Sequence, residues 1–200
     1  MFILGIDTTG DHCSAAIVNP EKTIAYNSEK IGRGHSERLP SMIAELIQGA
    51  GICIDDIKKI SVCKGPGSFT GLRASLAFAC GLALPNKLPV VGITSLRLWA
   101  HQVDPKGKKN IISVSDVRRG EFCWSAFFMG SELHPPITET AEAAKNSFIN
   151  LKHDLLLQDQ FVDVRIMARM SINLSPIEHP AKPLYSRAPD AKVSKSFMTQ

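Results

Sequence analysis

The chain has 200 residues, of which 44% are hydrophobic and 21% charged, and its formal net charge is +4 with histidine neutral. This balance excludes a disordered chain, because enough apolar side chains are present to bury a core. The N-terminus lacks a basic flank and the apolar stretch 69–84 contains Arg73, so we expect neither a signal peptide nor a membrane-spanning helix. The five cysteines form no CxxC pair, which favours free thiols in a reducing compartment and therefore a cytoplasmic protein.

The first thirty-one residues predict three consecutive strands, at 2–6, 13–18 and 23–31. A turn at 19–22 joins the last two, and an antiparallel meander is the simplest arrangement. The first strand ends at Asp7, which places a carboxylate at its C-terminal end.

An amphipathic helix is predicted at 36–50. Pro40 is tolerated near a helix start, which agrees with this placement. Its apolar side chains recur at helical spacing, at Leu39, Met42, Ile43, Leu46, Ile47 and Ala50.

A turn rich in glycine, residues 65–71, separates a predicted strand at 60–63 from a helix ending near Leu84. A strand, such a turn and a helix N-terminus together resemble an anion-binding device. The spacing, however, fits neither the phosphate loop of nucleotide hydrolases nor the dinucleotide fingerprint. Phosphate binding therefore stays open, and a tight strand-to-helix turn capped by Ser68 or Thr70 is favoured.

The helix after this turn has no charged residue from Ala74 to Leu84. An apolar circumference predicts burial on more than one side. Its small residues, which include Ala74, Ser75 and Ala79, serve either core packing within one subunit or a subunit interface.

A strand at 90–93 and a helix starting after Thr94 precede the polar linker 104–110. We place a domain boundary there, between residues 1–103 and 104–200. Strands at 111–114 and 122–128 flank a turn that contains two carboxylates and two guanidinium groups. This turn is either a solvated hairpin tip, which we favour, or a polar contact with a ligand or partner. Beyond it we predict helices at 138–148 and 161–172 and an extended segment at 175–200.

No catalytic group can be assigned from spacing alone. The chain has no HExxH motif and no Cys–His cluster, which are the usual signatures of a zinc site. Ser68 lacks the GxSxG context of a hydrolase nucleophile, and Cys63 has no base nearby in sequence. We therefore expect neither a catalytic residue nor a metal.

Several motifs together closely resemble the TsaB (YeaZ) family, which is glycoprotease-like and paralogous to TsaD. They are the strand end Ile6-Asp7-Thr8 and the segments 35–40, 65–73, 92–96, 116–121 and 183–192. The residues that carry the resemblance are Asp7, Thr8, His35, Glu37, Gly65, Pro66, Gly67, Ser68, Thr70, Gly71, Arg73, Asp116, Arg118, Gly120 and Glu121.

The resemblance implies an α/β fold of the actin/Hsp70/sugar-kinase type with two related lobes. It implies a non-catalytic scaffold that binds TsaD and TsaE for the formation of N6-threonylcarbamoyladenosine beside the tRNA anticodon. Contact with tRNA would be indirect, through the complex, and the chain alone would form a homodimer. No cofactor of its own is implied, and ATP or ADP would bind only at the complex interface.

The family's interface is a helix pair that joins the same pair of TsaD or of a second copy in a four-helix bundle. Carried onto this chain, it comprises Leu39, Met42, Ile43, Leu46, Ile47, Phe69, Leu72, Ala74, Ser75, Phe78 and Ala79. The positions that align with the paired metal-binding histidines of TsaD are Ser95 and Trp99, neither of which is a useful ligand.

Two features depart from the family. Cys123 stands where a tyrosine is usual, and residues 129–182 are shorter than expected, so we expect a trimmed second lobe. Two other functions stay open: an independent enzyme of the same fold, either a kinase-like ATPase using Asp7 and the glycine-rich turn or a metallopeptidase, and a self-associating structural dimer without a tRNA role.

Overall fold

A computed structural model describes residues 1–186, which form two lobes, each built on one β-sheet. The first sheet contains β1 (Phe2–Asp7), β2 (His12–Val18), β3 (Thr23–Lys30), β4 (Ile57–Cys63) and β5 (Val90–Ile93), in the order β3-β2-β1-β4-β5. The first three strands pair antiparallel, which confirms the predicted meander, and β4 runs parallel to β1 and β5.

Two helices cover one face of this sheet, α1 (His35–Gly49) and α2 (Phe69–Ala83). The predicted apolar face of α1 is confirmed, because Leu39 and Met42 are fully buried in a core with Leu4 and Ile6 of β1. A short 3-10 helix, Ile54–Asp56, precedes β4.

The second sheet repeats this order with one strand fewer among the described residues. Its strands are β6 (Asn110–Asp116), β7 (Glu121–Phe128), β8 (Ser131–Thr140) and β9 (Leu155–Gln158), in the order β8-β7-β6-β9. Again three strands pair antiparallel and the fourth runs parallel to the first. The shared topology confirms the predicted fold of two related lobes with a trimmed second one.

The second half departs from the sequence prediction in its details. Residues 138–140 belong to β8 and not to a helix, and α4 (Ala141–Asn150) begins only after them. The Thr140 hydroxyl caps α4 by accepting a hydrogen bond from the Ala143 amide at 3.2 Å, which explains the later start. The predicted helix at 161–172 is the shorter α5 (Val164–Met170), followed by one 3-10 turn, Ser171–Asn173.

The two lobes exchange helices, because one face of each sheet is covered by a helix that follows the other sheet in the chain. Helix α3 (Ser95–Val103), which follows the first sheet, packs on the second sheet through Leu96, Trp99 and Ala100. Helix α5, which follows the second sheet, covers the free face of the first. Gly5 of β1 permits this approach, since a Cβ there would lie 2.6 Å from the carbonyl oxygen of Val164. The linker 104–109 lies between α3 and β6, and the domain boundary placed there stays a prediction.

The segment that follows α5 closes the edge of the first sheet at β5. The amide of Gly92 donates to the carbonyl of His179 at 2.9 Å, and the amide of Leu184 donates to that of Lys64 at 2.7 Å. Such contacts protect a strand edge from pairing with another chain. In the part of the chain described, no helix is long and apolar enough to cross a bilayer. The predictions for residues 187–200, including motif residues 187–192, lie outside the described residues.

Candidate functional site

The glycine-rich turn lies directly against the turn that follows β1. A Cβ on Gly71 would lie 1.8 Å from the carbonyl oxygen of Thr8, and one on Gly67 would lie 2.6 Å from that of Thr9. The Thr8 hydroxyl donates to the Gly71 carbonyl at 2.6 Å, and the Ser68 amide donates to the Thr9 carbonyl at 2.7 Å. The glycines therefore serve close backbone contact between two turns.

Ser68 caps α2 as predicted, since its hydroxyl oxygen accepts a hydrogen bond from the Gly71 amide at 3.3 Å. Thr70 is exposed and does not cap the helix. Of the amides at this helix end, those of Ser68 and Gly71 already donate within the protein, which leaves fewer of them for an anion. This geometry favours the interpretation as a strand-to-helix turn.

Asp7 is buried at the end of β1, with only 3% of its surface exposed. Its Oδ1 accepts hydrogen bonds from the amide of Thr9 at 3.1 Å and from the Thr9 hydroxyl at 2.7 Å. Burial raises the pKa of the Asp7 carboxyl, and the two hydrogen bonds from Thr9 oppose that rise. His35, at the start of α1, is close enough for its charge to favour the ionised carboxylate.

Cys63 lies beside this carboxylate, at 3.6 Å from the Thr9 hydroxyl. Burial raises the pKa of the Cys63 thiol, and the negative charge of Asp7 raises it further. A thiol held protonated is a poor nucleophile. A raised pKa disfavours attack by Cys63, and the absence of a catalytic role for it stays a prediction.

Ser95 and Trp99, which the resemblance aligns with paired histidines, face the protein interior. The amide of Ser95 donates to the Gly65 carbonyl at 3.0 Å, and its hydroxyl donates to the Pro66 carbonyl at 2.9 Å. Trp99 packs with Leu96 and with the buried Cys123. Within residues 1–186, no three His, Cys, Asp or Glu side chains converge on a common point. The absence of a metal stays a prediction.

Most of the side chains assigned to the partner interface point into the core of this chain. Leu39, Met42, Ile43, Leu46, Leu72, Ser75 and Ala79 are buried between the helix pair and the first sheet. Their assignment to the partner interface is corrected, because an apolar helix stripe packs first against its own sheet. Ile47, Ala74 and Phe78 are half-buried and Phe69 is exposed, so these four are available to a partner.

The opposite side of α2 carries an exposed apolar strip, so burial of this side would require a partner and stays a prediction. We define the α2 face as Phe69, Arg73, Ala77, Cys80 and Leu84, which follow one another at helical spacing. Phe69 is 54% exposed and Leu84 is 79% exposed. Ala77, Cys80 and Leu84 were not predicted from the sequence as interface residues, although the charge-free run from Ala74 to Leu84 was the signal that could have found them.

Tyr185 joins the α2 face from the far end of the described chain. The guanidinium carbon of Arg73 lies 3.7 Å from the centre of the Phe69 ring, and Arg73 Nε donates to the Tyr185 hydroxyl at 3.1 Å. The two aromatic ring centres are 5.5 Å apart. The structure thus brings the 65–73 motif and the start of the 183–192 motif into one exposed cluster, which sequence spacing could not reveal.

Of the two motif residues at the start of α1, His35 is half-buried, and Glu37 lies on the surface beside an ion-pair network. Glu37 is exposed and accepts a hydrogen bond from the Ser36 hydroxyl at 3.1 Å. Next to it, Arg38 pairs with Glu29 of β3 at 2.6 Å and with Glu45 at 2.8 Å. Hydrogen bonds from Arg38 lower the pKa of Glu29 to about 2. This network ties the edge strand to α1.

The motif at 116–121 forms the tight β6–β7 connection, which confirms the predicted hairpin. The Arg118 amide donates to Asp116 Oδ1 at 2.7 Å, and the Val117 amide donates to the Glu121 carbonyl at 3.1 Å. Gly120 has a φ of +75°, which glycine adopts without strain. A contact of this turn with a ligand or partner stays a prediction.

Comparisons with known proteins identify relatives of this chain. TsaB of Escherichia coli (strain K12), a tRNA threonylcarbamoyladenosine biosynthesis protein, is 34% identical over 128 residues, which cover 64% of this chain and 55% of that protein. Its namesake in Buchnera aphidicola subsp. Schizaphis graminum is 35% identical over 132 residues, covering 66% of this chain and 62% of that protein. The chain thus spans roughly half to three-fifths of the length of these relatives.

Solved structures share the fold. An uncharacterized protein with similarity to the peptidase YEAZ from Pseudomonas aeruginosa superposes with a TM-score of 0.75 at 20% identity, covering 93% of this chain and 99% of that one. YeaZ from Pseudomonas aeruginosa gives 0.71 at 19% identity, covering 92% and 99%. A family model for TsaD, tRNA N6-adenosine threonylcarbamoyltransferase, matches residues 23–168, more than half of the chain. The chain therefore belongs to the TsaD family, and the resemblance to TsaB (YeaZ) predicted from its motifs is confirmed.

Proposed function

We propose that the chain is a non-catalytic scaffold subunit that binds TsaD through the α2 face during N6-threonylcarbamoyladenosine formation in tRNA. The observation that carries the proposal is the exposed apolar strip of α2, which no described part of the chain covers. The names of the E. coli and Buchnera relatives support the same process. TsaE would join the complex, tRNA would be contacted through TsaD, and the complex would act in the cytoplasm.

The chemistry of the α2 face suits another helix as its occupant. The face carries no charge after Arg73, and its middle consists of the small residues Ala77 and Cys80, which let a partner helix approach closely. Phe69, Arg73 and Tyr185 form an aromatic and cationic anchor at one end, a composition typical of interface hot spots. In the absence of TsaD, a second copy of the chain would cover the same strip.

The interior of the lobe supports a non-catalytic role. Asp7 is buried, the Ser68 and Gly71 amides of the glycine-rich turn are engaged, and Ser95 and Trp99 pack inside the protein. A kinase-like ATPase would need an accessible carboxylate and free amides at this place. We therefore propose no nucleotide site within this lobe, and ATP or ADP would bind only at the interface with TsaD.

Substituting Ala77→Arg tests the interface. A long cationic side chain in the middle of the apolar strip would overlap the partner helix and bury an unpaired charge. We expect the affinity for the TsaD of the same organism, measured by isothermal titration, to fall about 100-fold, which corresponds to about 3 kcal/mol. The control Asn146→Arg adds the same charge on the exposed side of α4 and should bind normally.

Two outcomes would contradict this assignment. Normal binding by a folded Ala77→Arg variant would place the interface elsewhere. An equal loss in Asn146→Arg would show that the added charge acts nonspecifically. The parallel variant Ala79→Arg should unfold the chain, because Ala79 is fully buried, so melting curves accompany every titration.

Omitting subunits in turn tests the non-catalytic role. Threonylcarbamoyl transfer to tRNA is measured with TsaD, TsaE and this chain together and with each left out. We expect the chain alone to modify no tRNA and TsaD without it to be nearly inactive. Turnover by this chain alone would refute the scaffold proposal.

A further inference from the structure

A cavity of about 410 Å³ lies where the two lobes meet, and the proposed function leaves it unused. It is open to solvent on one side and lined by α3, the linker 104–109, the β7–β8 turn and the segment after α5. Because α5 covers the sheet face opposite to α1 and α2, the cavity lies on the other side of the first sheet from the α2 face. Its volume lies within the range of roughly 300–1,000 Å³ typical of small-molecule sites.

On the polar side of the cavity, hydrogen bonds to backbone amides and close backbone contacts fix the position of the linker 104–109. Asp104 Oδ2 accepts hydrogen bonds from the amides of Lys108 at 2.6 Å and Lys109 at 2.7 Å, which fixes the linker at the end of α3. Gly107 and Gly130 bring the linker against the β7–β8 turn, since a Cβ on Gly107 would lie 2.9 Å from the Gly130 Cα. The cavity is therefore formed by the fold itself.

The opposite wall is apolar. Ala100, Ile111 and Phe127 form one buried cluster behind it. Met170 at the end of α5 and Leu174 complete this side. A ligand with an apolar or aromatic body would gain contact area here.

Arg97 of α3 places a cation in this cavity. Its side chain is half-buried, and within residues 1–186 its guanidinium has no hydrogen-bond or ion-pair partner. Lys106 and Lys109 add positive charge at the rim. Asp104 is the acidic residue of the described lining, and its Oδ2 is engaged by backbone amides. A half-buried guanidinium without a partner is suited to a bidentate contact with an anion.

Groups around Arg97 reflect the same excess of positive charge. Burial lowers the pKa of His101, Lys64 and His179, and the charge of Arg97 adds to each shift. The acidic side chains that oppose these shifts are Asp104 for His101, Glu132 for Lys64, and Glu178 with Glu132 for His179. These carboxylates do not restore the ordinary pKa values.

We propose that this cavity binds a small organic anion, a phosphate or carboxylate carried on an apolar or aromatic group. Arg97 pairs with the anionic group, Lys106 and Lys109 attract it, and the apolar wall contacts the body. The proposal is independent of the proposed function, because the α2 face lies on the other side of the lobe.

Binding to the 200-residue chain is measured by isothermal titration, with phenyl phosphate and benzoate as the two anionic probes. Inorganic phosphate and phenol serve as the separate halves of the first probe. We expect saturable binding of phenyl phosphate, benzoate or both. The tighter probe should bind at least about tenfold more tightly than inorganic phosphate or phenol. The stronger of the two probes assigns the anionic group as phosphate or carboxylate. No saturation by either probe up to about 10 mM would overturn the proposal.

Substitutions locate the site. Arg97→Gln should weaken binding at least about tenfold, the range expected for a lost charged hydrogen bond. The control Arg33→Gln removes an exposed arginine outside the cavity and should leave binding unchanged. Lys106→Glu should also weaken binding, whereas Lys108→Glu should not, because Lys108 lies outside the cavity lining. Both lysines are exposed, so this pair decides the question even if Arg97→Gln does not fold. Equal effects within either pair would refute the site.

Discussion

At the scale of single residues, Asp7 is a buried carboxylate that stabilises a turn through its hydrogen bonds. It caps the turn after β1 by accepting two hydrogen bonds from Thr9. Its charge is costly there, because burial disfavours the ionised form. A carboxylate in this setting destabilises the folded state at neutral pH relative to an uncharged acceptor.

Substituting Asp7→Asn should therefore stabilise the chain at high pH. The pKa of Asp7 is raised in the folded state, so the ionised form costs stability as pH rises above the unfolded value of about 4 and through the raised folded value. Asparagine keeps an acceptor oxygen for Thr9 without the charge. We expect Tm at pH 8 to increase and Tm at about pH 3.5 to change little.

The exposed residue Asp11, in the same turn, provides the control. Asp11→Asn removes an equal charge from a carboxylate that is already in contact with solvent, so no cost of burying a charge is removed. A fall in Tm of Asp7→Asn at pH 8 would show that the surrounding dipoles stabilise the ionised carboxylate after all. Unchanged Tm at both pH values would show that water reaches Asp7.

At the scale of elements, α2 packs tightly against the β1 turn at its start and is open to solvent on its outer side. One of its two glycines lies at each of these places. A Cβ on Gly71 would collide with the Thr8 carbonyl, whereas Gly81 has nothing within 4 Å of its Cβ position. The first glycine permits the helix to start against the β1 turn. The second lies on the exposed side of the helix, where no contact requires it.

Alanine at these two positions should therefore have opposite effects. Gly71→Ala should lower the free energy of unfolding by at least about 2 kcal/mol, since backbone must move to relieve the overlap. Gly81→Ala should raise it by about 0.5–1 kcal/mol, the usual gain of alanine over glycine within a helix. Urea unfolding of both variants measures the two changes, and similar values for the pair would contradict the packing of the turn.

At the scale of the whole molecule, the exchange of α3 and α5 makes the two lobes depend on each other. The free face of the first sheet is covered by Val164, Met167 and Ala168 of α5, a helix that follows the second sheet in the chain. A boundary between 103 and 104 therefore divides the sequence but leaves that face without its cover. The first sheet therefore needs a helix from beyond residue 103 to cover its second face.

We accordingly expect a fragment of residues 1–103 not to melt cooperatively. Loss of α5 would expose Ile3, Val18 and Ile93, and a sheet with one bare apolar face lacks the burial needed to offset chain entropy. Circular dichroism melting and binding of a hydrophobic dye compare the fragment with the full chain. A fragment that melts cooperatively and binds no more dye would show that the first lobe folds alone.

The amino-acid sequence by itself determined the local elements of the first lobe and the family. The meander, the apolar stripe of α1 and the Ser68 cap all depend on neighbours within a few residues, and these interactions are visible in spacing. Each motif is a short run of consecutive residues, so the resemblance to TsaB (YeaZ) follows from the order of amino acids and needs no knowledge of how the chain packs.

Tertiary structure alone decided which face of each helix is free. Ser75 and Ala79 are small residues on an apolar helix, and only the position of the first sheet shows that they are buried while Ala77 is exposed. The contact of Arg73 with Tyr185 and the cavity around Arg97 likewise join segments that are far apart in the chain. Such contacts depend on how the sheets and helices pack across the molecule, and periodicity within one element carries no information about them.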